Sequence, residues 1–343
     1  MSASIHRHPA WFGVVMGTGA VSLVLSSQAE AWEMPVLDAL AVIALLAASA
    51  AALVLWPRYL RRLADRGELT AELSDPAHGA MLATFPAGLL VLAVGWGRVG
   101  PEIIPTSVAV TVDIVLVVVG AVIATVLSAW WATSIGRSGV GLEGANGGWL
   151  IPPVMNLIVP LGLVPVIAQY PDQAAWLVPV ALAFWGIGAI LFLALLAVLV
   201  ARLAFRSPLA APMAPSLWIP LAPAGVMGLA LLRVLEVGAA TGDLPTEVVA
   251  LGLVVSSAAV GFGLWWSVFA SIDLMRARRE GVPFHPGWWG FVFPLGAMAL
   301  AIAAIGTAVD VTGIVVASSL VAALTVVVWA MVAVRTVRLL VAK

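Results

Sequence analysis

Runs of apolar residues long enough to cross a membrane alternate with short polar connections along the whole chain. A helical crossing takes about 20 mostly apolar residues, roughly 17–25 with tilt. On that measure the spans fall at 10–28, 35–56, 77–97, 106–132, 149–169, 175–201, 217–238, 246–272, 287–308 and 312–336. Strands do not fit this pattern. An open sheet leaves backbone groups unsatisfied in lipid, and a barrel shows alternating segments of about ten residues. The pattern predicts an all-α membrane protein of ten transmembrane helices, a single transmembrane domain over 1–343 with no room for a soluble one.

Composition sharpens the exclusions. Of 343 residues, 63% are hydrophobic and 10% charged, with a mean hydropathy of +1.12. Soluble domains run near about 45–50% apolar and about 25% charged. The net charge of -1 comes with no basic stripe for nucleic acid. The chain has no cysteine, which removes disulfides, zinc-cysteine sites and thiol chemistry. It contains no HExxH, no GxSxG and no Walker-type phosphate loop, and the glycine-rich run 139–148 reads as a flexible turn because no lysine follows it. No enzyme activity, cofactor or metal site is expected.

Arginine placement orients the spans. Arg7, Arg58, Arg61, Arg62, Arg66, Arg137, Arg202, Arg206, Arg276, Arg278, Arg279, Arg335, Arg338 and Lys343 fall on one side, 14 of the 16 basic residues. Arg98 and Arg233 fall on the other, among Glu30, Glu33, Glu102, Asp172, Asp243, Glu247 and Asp310. Both termini are therefore expected in the cytoplasm and the chain in the plasma (cell inner) membrane. A leader cleaved near Ala29-Glu30-Ala31 is the competing reading of the first span, which is long for one. The 57–76 connection, with Leu60, Leu63, Leu69 and Leu73 among its arginines, predicts a helix on the inner membrane surface. Trp11, Trp32, Trp56, Trp96, Trp149, Trp176, Trp218 and Trp288 sit near span ends, where interface anchors belong.

Glycine and proline carry the functional signal. Every odd span holds a Pro/Gly-x-Gly unit: Met16-Gly17-Thr18-Gly19, Phe85-Pro86-Ala87-Gly88, Val159-Pro160-Leu161-Gly162, Ala222-Pro223-Ala224-Gly225 and Phe293-Pro294-Leu295-Gly296. The even spans lack it, so the chain repeats about every 70 residues with one helical hairpin per unit. Proline removes a backbone donor and clashes with the preceding turn, so each odd helix is expected to kink or break there. Such backbone is tolerated in lipid where it faces protein or a wet cavity. Five kinked odd helices around a central pore, with five plainer even helices outside, satisfy this requirement. The competing account is packing, since small residues let membrane helices approach closely.

On the pore reading the lining comes from Met16, Gly17, Thr18, Gly19, Phe85, Pro86, Gly88, Pro160, Gly162, Pro223, Gly225, Phe293, Pro294 and Gly296. None is charged. A cation path would show rings of carboxylates, so selectivity would come from diameter and backbone dipoles. Phe85 and Phe293, each just before its proline, are placed to constrict the path. Ionisable residues within spans are functional candidates. Arg233 and Glu236, three apart on one helix face, form either a structural pair (Asp113 being the other acid for Arg233) or an anion-attracting mouth. Asp113, Glu236 and His78 are the groups available for proton coupling, with His78 otherwise an interfacial cap.

Met16-Gly17-Thr18-Gly19 after Trp11-Phe12, Asp75-Pro76-Ala77-His78 before span 3, and Trp288-Trp289-Gly290-Phe291-Val292-Phe293-Pro294 at span 9 resemble the tellurite-resistance/C4-dicarboxylate transporter family. That family includes fungal sulfite exporters, yeast malate permeases and the plant guard-cell slow anion channels. The resemblance covers essentially the whole chain. It implies ten helices with quasi-fivefold symmetry, a homotrimer with one pore per subunit, and movement of small inorganic or organic anions without ATP. It also implies that Phe293 is the occluding pore residue. Two functions follow from it: a passive channel for chloride- or nitrate-class anions, or a proton-linked carrier of malate, sulfite or tellurite-type anions. An intramembrane enzyme or a purely structural partner is the remaining class.

Overall fold

The computed structural model describes residues 9–341, leaving aside the side chains of residues 62, 63 and 76–78. Arg7, Lys343 and the side chains of Arg62 and His78 therefore lie outside the described residues. All regular secondary structure among the described residues is helical, and ten of the helices are long and apolar enough to cross a membrane.

The α-helices are α1 (Gly13–Trp32), α2 (Pro35–Leu63), α3 (Arg66–Ser74), α4 (Pro76–Leu82), α5 (Thr84–Arg98) and α6 (Thr106–Ser138). They continue as α7 (Ile151–Gln169), α8 (Ala174–Phe205), α9 (Leu221–Ala240), α10 (Val249–Glu280), α11 (Val292–Ala308) and α12 (Thr312–Val341). The 57–76 connection forms the end of α2 and the short α3, whose first turn is capped by the Asp65 carboxylate accepting from the Gly67 N–H at 2.8 Å.

Burial divides the ten spans into two layers. In the odd spans 78–83% of the most apolar window is buried, whereas in the even spans 17–33% is. Helices α1, α5, α7, α9 and α11 neighbour one another in that order, and α11 returns to α1, closing a ring. Each is backed by the even span that follows it in sequence. The outer helices expose Leu53, Ile190, Val254, Leu320 and similar side chains, a surface suited to lipid and not to water. Because every outer helix brings the chain back, all five inner helices run in the same direction.

The prolines break the odd spans differently from a mid-helix kink. Pro86, Pro223 and Pro294 each occupy the first turn of α5, α9 and α11, where a missing N–H has no intrahelical acceptor to lose. The break lies just ahead of them, in the separate α4 and in the 3-10 turns Ala211–Trp218 and Pro286–Phe291. Of the inner helices, α7 alone carries prolines, Pro160 and Pro165, inside a continuous helix among the described residues. The carbonyls freed at a break find partners. Pro220 has no N–H for the Leu217 carbonyl three residues back, and the buried Trp266 indole of α10 donates to it at 2.7 Å.

Candidate functional site

The N-terminal ends of all five inner helices, with the turns leading into them, surround a cavity of about 220 Å³. Helix α1 and its preceding turn contribute Ala10, Gly13 and Met16, α7 contributes Ile151 and Val154, and α9 with the residues just before it contributes Ile219 and Ala222. These spacings put one stripe per helix on the wall. Met81 and Thr84 come from the α4–α5 break, and Trp289, Phe293 and Pro294 from the start of α11. Phe293 is 8% exposed. One turn deeper, Ala20, Ile158, Val226 and Ala297 are buried.

No Asp, Glu, Lys or Arg lines the cavity among the described residues. Its polar groups are Thr84, Asn146, Ser216 and His285, and each is engaged at a helix start. Asn146 Oδ1 accepts from the Gly148 N–H at 2.8 Å, and Ser216 Oγ accepts from the Gly147 N–H at 3.3 Å. His285 Nδ1 accepts from the Gly287 N–H at 3.0 Å, while its Nε2 lies 3.0 Å from the Pro212 carbonyl. Thr84 Oγ1 donates its one proton to the Met81 carbonyl at 2.7 Å or the Pro9 carbonyl at 3.0 Å. Electrostatically the site is a neutral, mostly apolar cup beneath five parallel helix dipoles. Each dipole presents roughly +0.5 charge at its N-terminal end. The arrangement accommodates a small anion and offers a cation no carboxylate.

The residues singled out from sequence do not all meet here. Met16, Phe293 and Pro294 line the cavity together. Phe85 instead packs against Phe12 and Trp56, at ring-centroid distances of 5.2 and 5.6 Å, in a cluster that includes Tyr59. Thr18 Oγ1 accepts from the Trp329 indole of α12 at 3.1 Å. The glycines sit where helices approach most closely. Gly17 meets Trp289 and Val292, Gly19 meets Val91, Gly88 meets Val15, and Gly296 meets Ala20. Gly225 lies against the Ala297 backbone, and Gly162 against Val117 of α6. Pro86, Pro160 and Pro223 are buried within the inner ring.

The ionisable candidates lie apart from the cavity. Arg233 pairs with Glu236 at 2.8 Å, at the opposite end of α9. Asp113 of α6 is fully buried beside Gly97 and Gly162, and neither carboxyl oxygen has a hydrogen-bond partner. His78 lies in α4, with its side chain outside the described residues. Among the described residues no cluster of His, Asp and Glu could hold a metal ion.

Sequence reasoning missed Thr84, Asn146, Ser216 and His285. Two of them carried a readable signal. Asn146-Gly147-Gly148-Trp149 and His285-Pro286-Gly287-Trp288 each place a capping side chain two residues before a glycine at the start of an apolar helix.

Comparison with known proteins adds to this geometry. The voltage-dependent anion channel family model, SLAC1, matches residues 6–337. The chain is 29% identical to an uncharacterized transporter of Methanocaldococcus jannaschii, over 84% of this chain and 80% of that protein. A second uncharacterized transporter of the same organism is 27% identical over 84% of this chain and 81% of its own length. The sulfite efflux pump SSU1 of Trichophyton rubrum is 26% identical over 87% of this chain and 81% of the pump.

Proposed function

The chain belongs to the voltage-dependent anion channel family, and on that premise we propose that it passes small anions of the chloride or nitrate class along the axis between α1, α5, α7, α9 and α11. The observation that carries this reading is the cavity itself. All five inner helices contribute to it with their positive ends, no charged side chain lines it among the described residues, and Phe293 is part of its wall. An anion entering the cup is attracted by fixed dipoles and not trapped by a counter-charge, which suits rapid passage. Phe293 acts as the gate, a reading supported by the burial of the residues one turn deeper. The cavity faces the cytoplasm, because the C-terminal ends of α2, α6, α8, α10 and α12 carry most of the arginines at this end. The protomer has quasi-fivefold symmetry and assembles as a homotrimer with one path per subunit, as the family resemblance implies.

A second reading has its own support. Three of the similar proteins are named sulfite efflux pumps, so a proton-linked carrier of sulfite-like or dicarboxylate anions fits the same architecture. The experiment that separates the two is a reversal potential in a planar bilayer, under a chloride gradient and then under a pH gradient. A channel reverses near the chloride equilibrium potential and ignores the proton gradient. A reversal potential that follows the proton gradient selects the carrier. Purified, folded protein that moves no anion under any gradient overturns both.

A further inference from the structure

Among the described residues lining the cavity, His285 is the only titratable one, and both of its ring nitrogens are in use. Nδ1 accepts the Gly287 N–H at 3.0 Å, which capping assigns as the unprotonated nitrogen. Nε2 therefore carries the proton and donates it to the Pro212 carbonyl at 3.0 Å. The neutral ring thus ties the turn Ala211–Trp218, which leads into α9, to the turn Pro286–Phe291, which leads into α11. The second turn runs within two residues into Phe293.

From this geometry we infer that His285 is a proton-binding site that regulates the anion path, acidification on the cavity side favouring passage. The inference rests on reading the cavity as that path. A proton added at Nδ1 turns the cap's acceptor into a donor facing the Gly287 N–H, so the cap is lost. The bond to Pro212 survives, now made by a cation. Two consequences point the same way: the turn leading into α11 and Phe293 loosens, and a positive charge stands in a cup with no acid among its described lining residues.

The surroundings leave this charge unpaired. The turn Ala211–Trp218, the turn Pro9–Phe12, α11 and the near end of α1 bring no titratable side chain. From α12, Arg335 lies over the Trp288 ring at 4.9 Å. From α10, Arg276 is committed to Asp273, Glu280 and the Leu209 carbonyl, and Arg278 and Arg279 add positive charge only. The other inner helix with this cap uses a group that does not titrate: Asn146 accepts from the Gly148 N–H two residues on, as His285 does from Gly287.

That parallel supplies the test. His285→Asn keeps a capping oxygen of the kind Asn146 provides and removes the proton site. Anion efflux is measured from chloride-loaded proteoliposomes at symmetrical pH values of about 7.5 and about 5.5. Wild type is expected to gain about threefold or more on acidification, on the order of what one helix cap is worth, while His285→Asn stays flat. A flat wild type, or an equal gain in His285→Asn, overturns the inference. So does a gain that His78→Ala abolishes and His285→Asn retains. Amide hydrogen exchange over residues 286–293, corrected for intrinsic rates, provides a readout independent of transport. Protection is expected to fall with acidification in wild type and not in His285→Asn. If no variant moves anions, the transport reading fails by itself, and unchanged protection in wild type then overturns the inference separately.

Discussion

Gly225 offers the sharpest probe of how the inner ring is held together. A Cβ at this position would lie 2.8 Å from the Ala297 carbonyl carbon, 2.9 Å from its oxygen and 2.9 Å from the Met298 nitrogen. All three are backbone atoms of α11, so no side chain can swing aside. Ordinary contact begins near 3.4 Å, and Gly225→Ala therefore forces α9 and α11 apart by about 0.5 Å. Overpacking of this kind costs typically about 1–3 kcal/mol, while alanine returns up to about 1 kcal/mol of helix propensity. The expected balance is a loss of about 1–2 kcal/mol. Gly261 of α10, with nothing within 4 Å of its own added Cβ, is the control, and Gly261→Ala is expected to gain from propensity alone. Tryptophan fluorescence during heating in detergent reads both, and Gly225→Ala should unfold several degrees below Gly261→Ala. If the two melt together, or Gly225→Ala melts higher, close helix approach is not what this glycine serves.

Two other positions separate path from packing. Phe293→Ala removes a ring that lines the cavity and should raise anion current in a bilayer, whereas Phe85→Ala should not. Phe85→Ala should instead lower stability by on the order of 2 kcal/mol, less than the 3–5 of a fully buried ring, because Phe85 is only half-buried in its aromatic cluster. Equal current gains in the two variants would contradict the assignment of Phe293 as gate. Asp113→Asn preserves shape at a site with no hydrogen bond to lose and away from the cavity, so flux and its pH response should persist. A folded Asp113→Asn protein that has lost either one would place this carboxyl in the transport mechanism.

Much of the architecture was readable in the chain because lipid leaves few options. Ten apolar runs of the right length could only be helices, and all ten are present. The Pro/Gly-x-Gly units marked the five spans that turned out buried: three have a break just ahead of the proline, and in all five the unit's glycines sit at close contacts. Their detailed role was less accessible. Sequence places Pro86, Pro223 and Pro294 within apolar runs, but only the helix boundaries show that each lies in a first turn. Phe85 and Phe293 occupy equivalent positions in their units, yet one packs toward Trp56 and Tyr59 of α2 and the other faces the cavity. Helical rotation decides that, and the repeat does not encode it. The caps Asn146 and His285 were hidden for another reason: both stand in glycine- or proline-rich stretches that read as connections, although those connections form the cavity wall.

The central claim is that anions travel through the cup formed by the five inner helix starts, and the absence of native cysteine makes it directly testable. Ser216→Cys places one thiol on the cavity wall, and Thr133→Cys places one on the exposed face of α6. Treatment with a sulfonate-bearing methanethiosulfonate then fixes a negative charge at one site or the other. At about 8 Å and an effective dielectric of about 20, that charge opposes a passing anion by about 2 kcal/mol, about thirtyfold in rate. The account predicts that modified Ser216→Cys loses most of its anion flux while modified Thr133→Cys keeps it. Full flux through Ser216→Cys protein, with modification confirmed by mass, would contradict it.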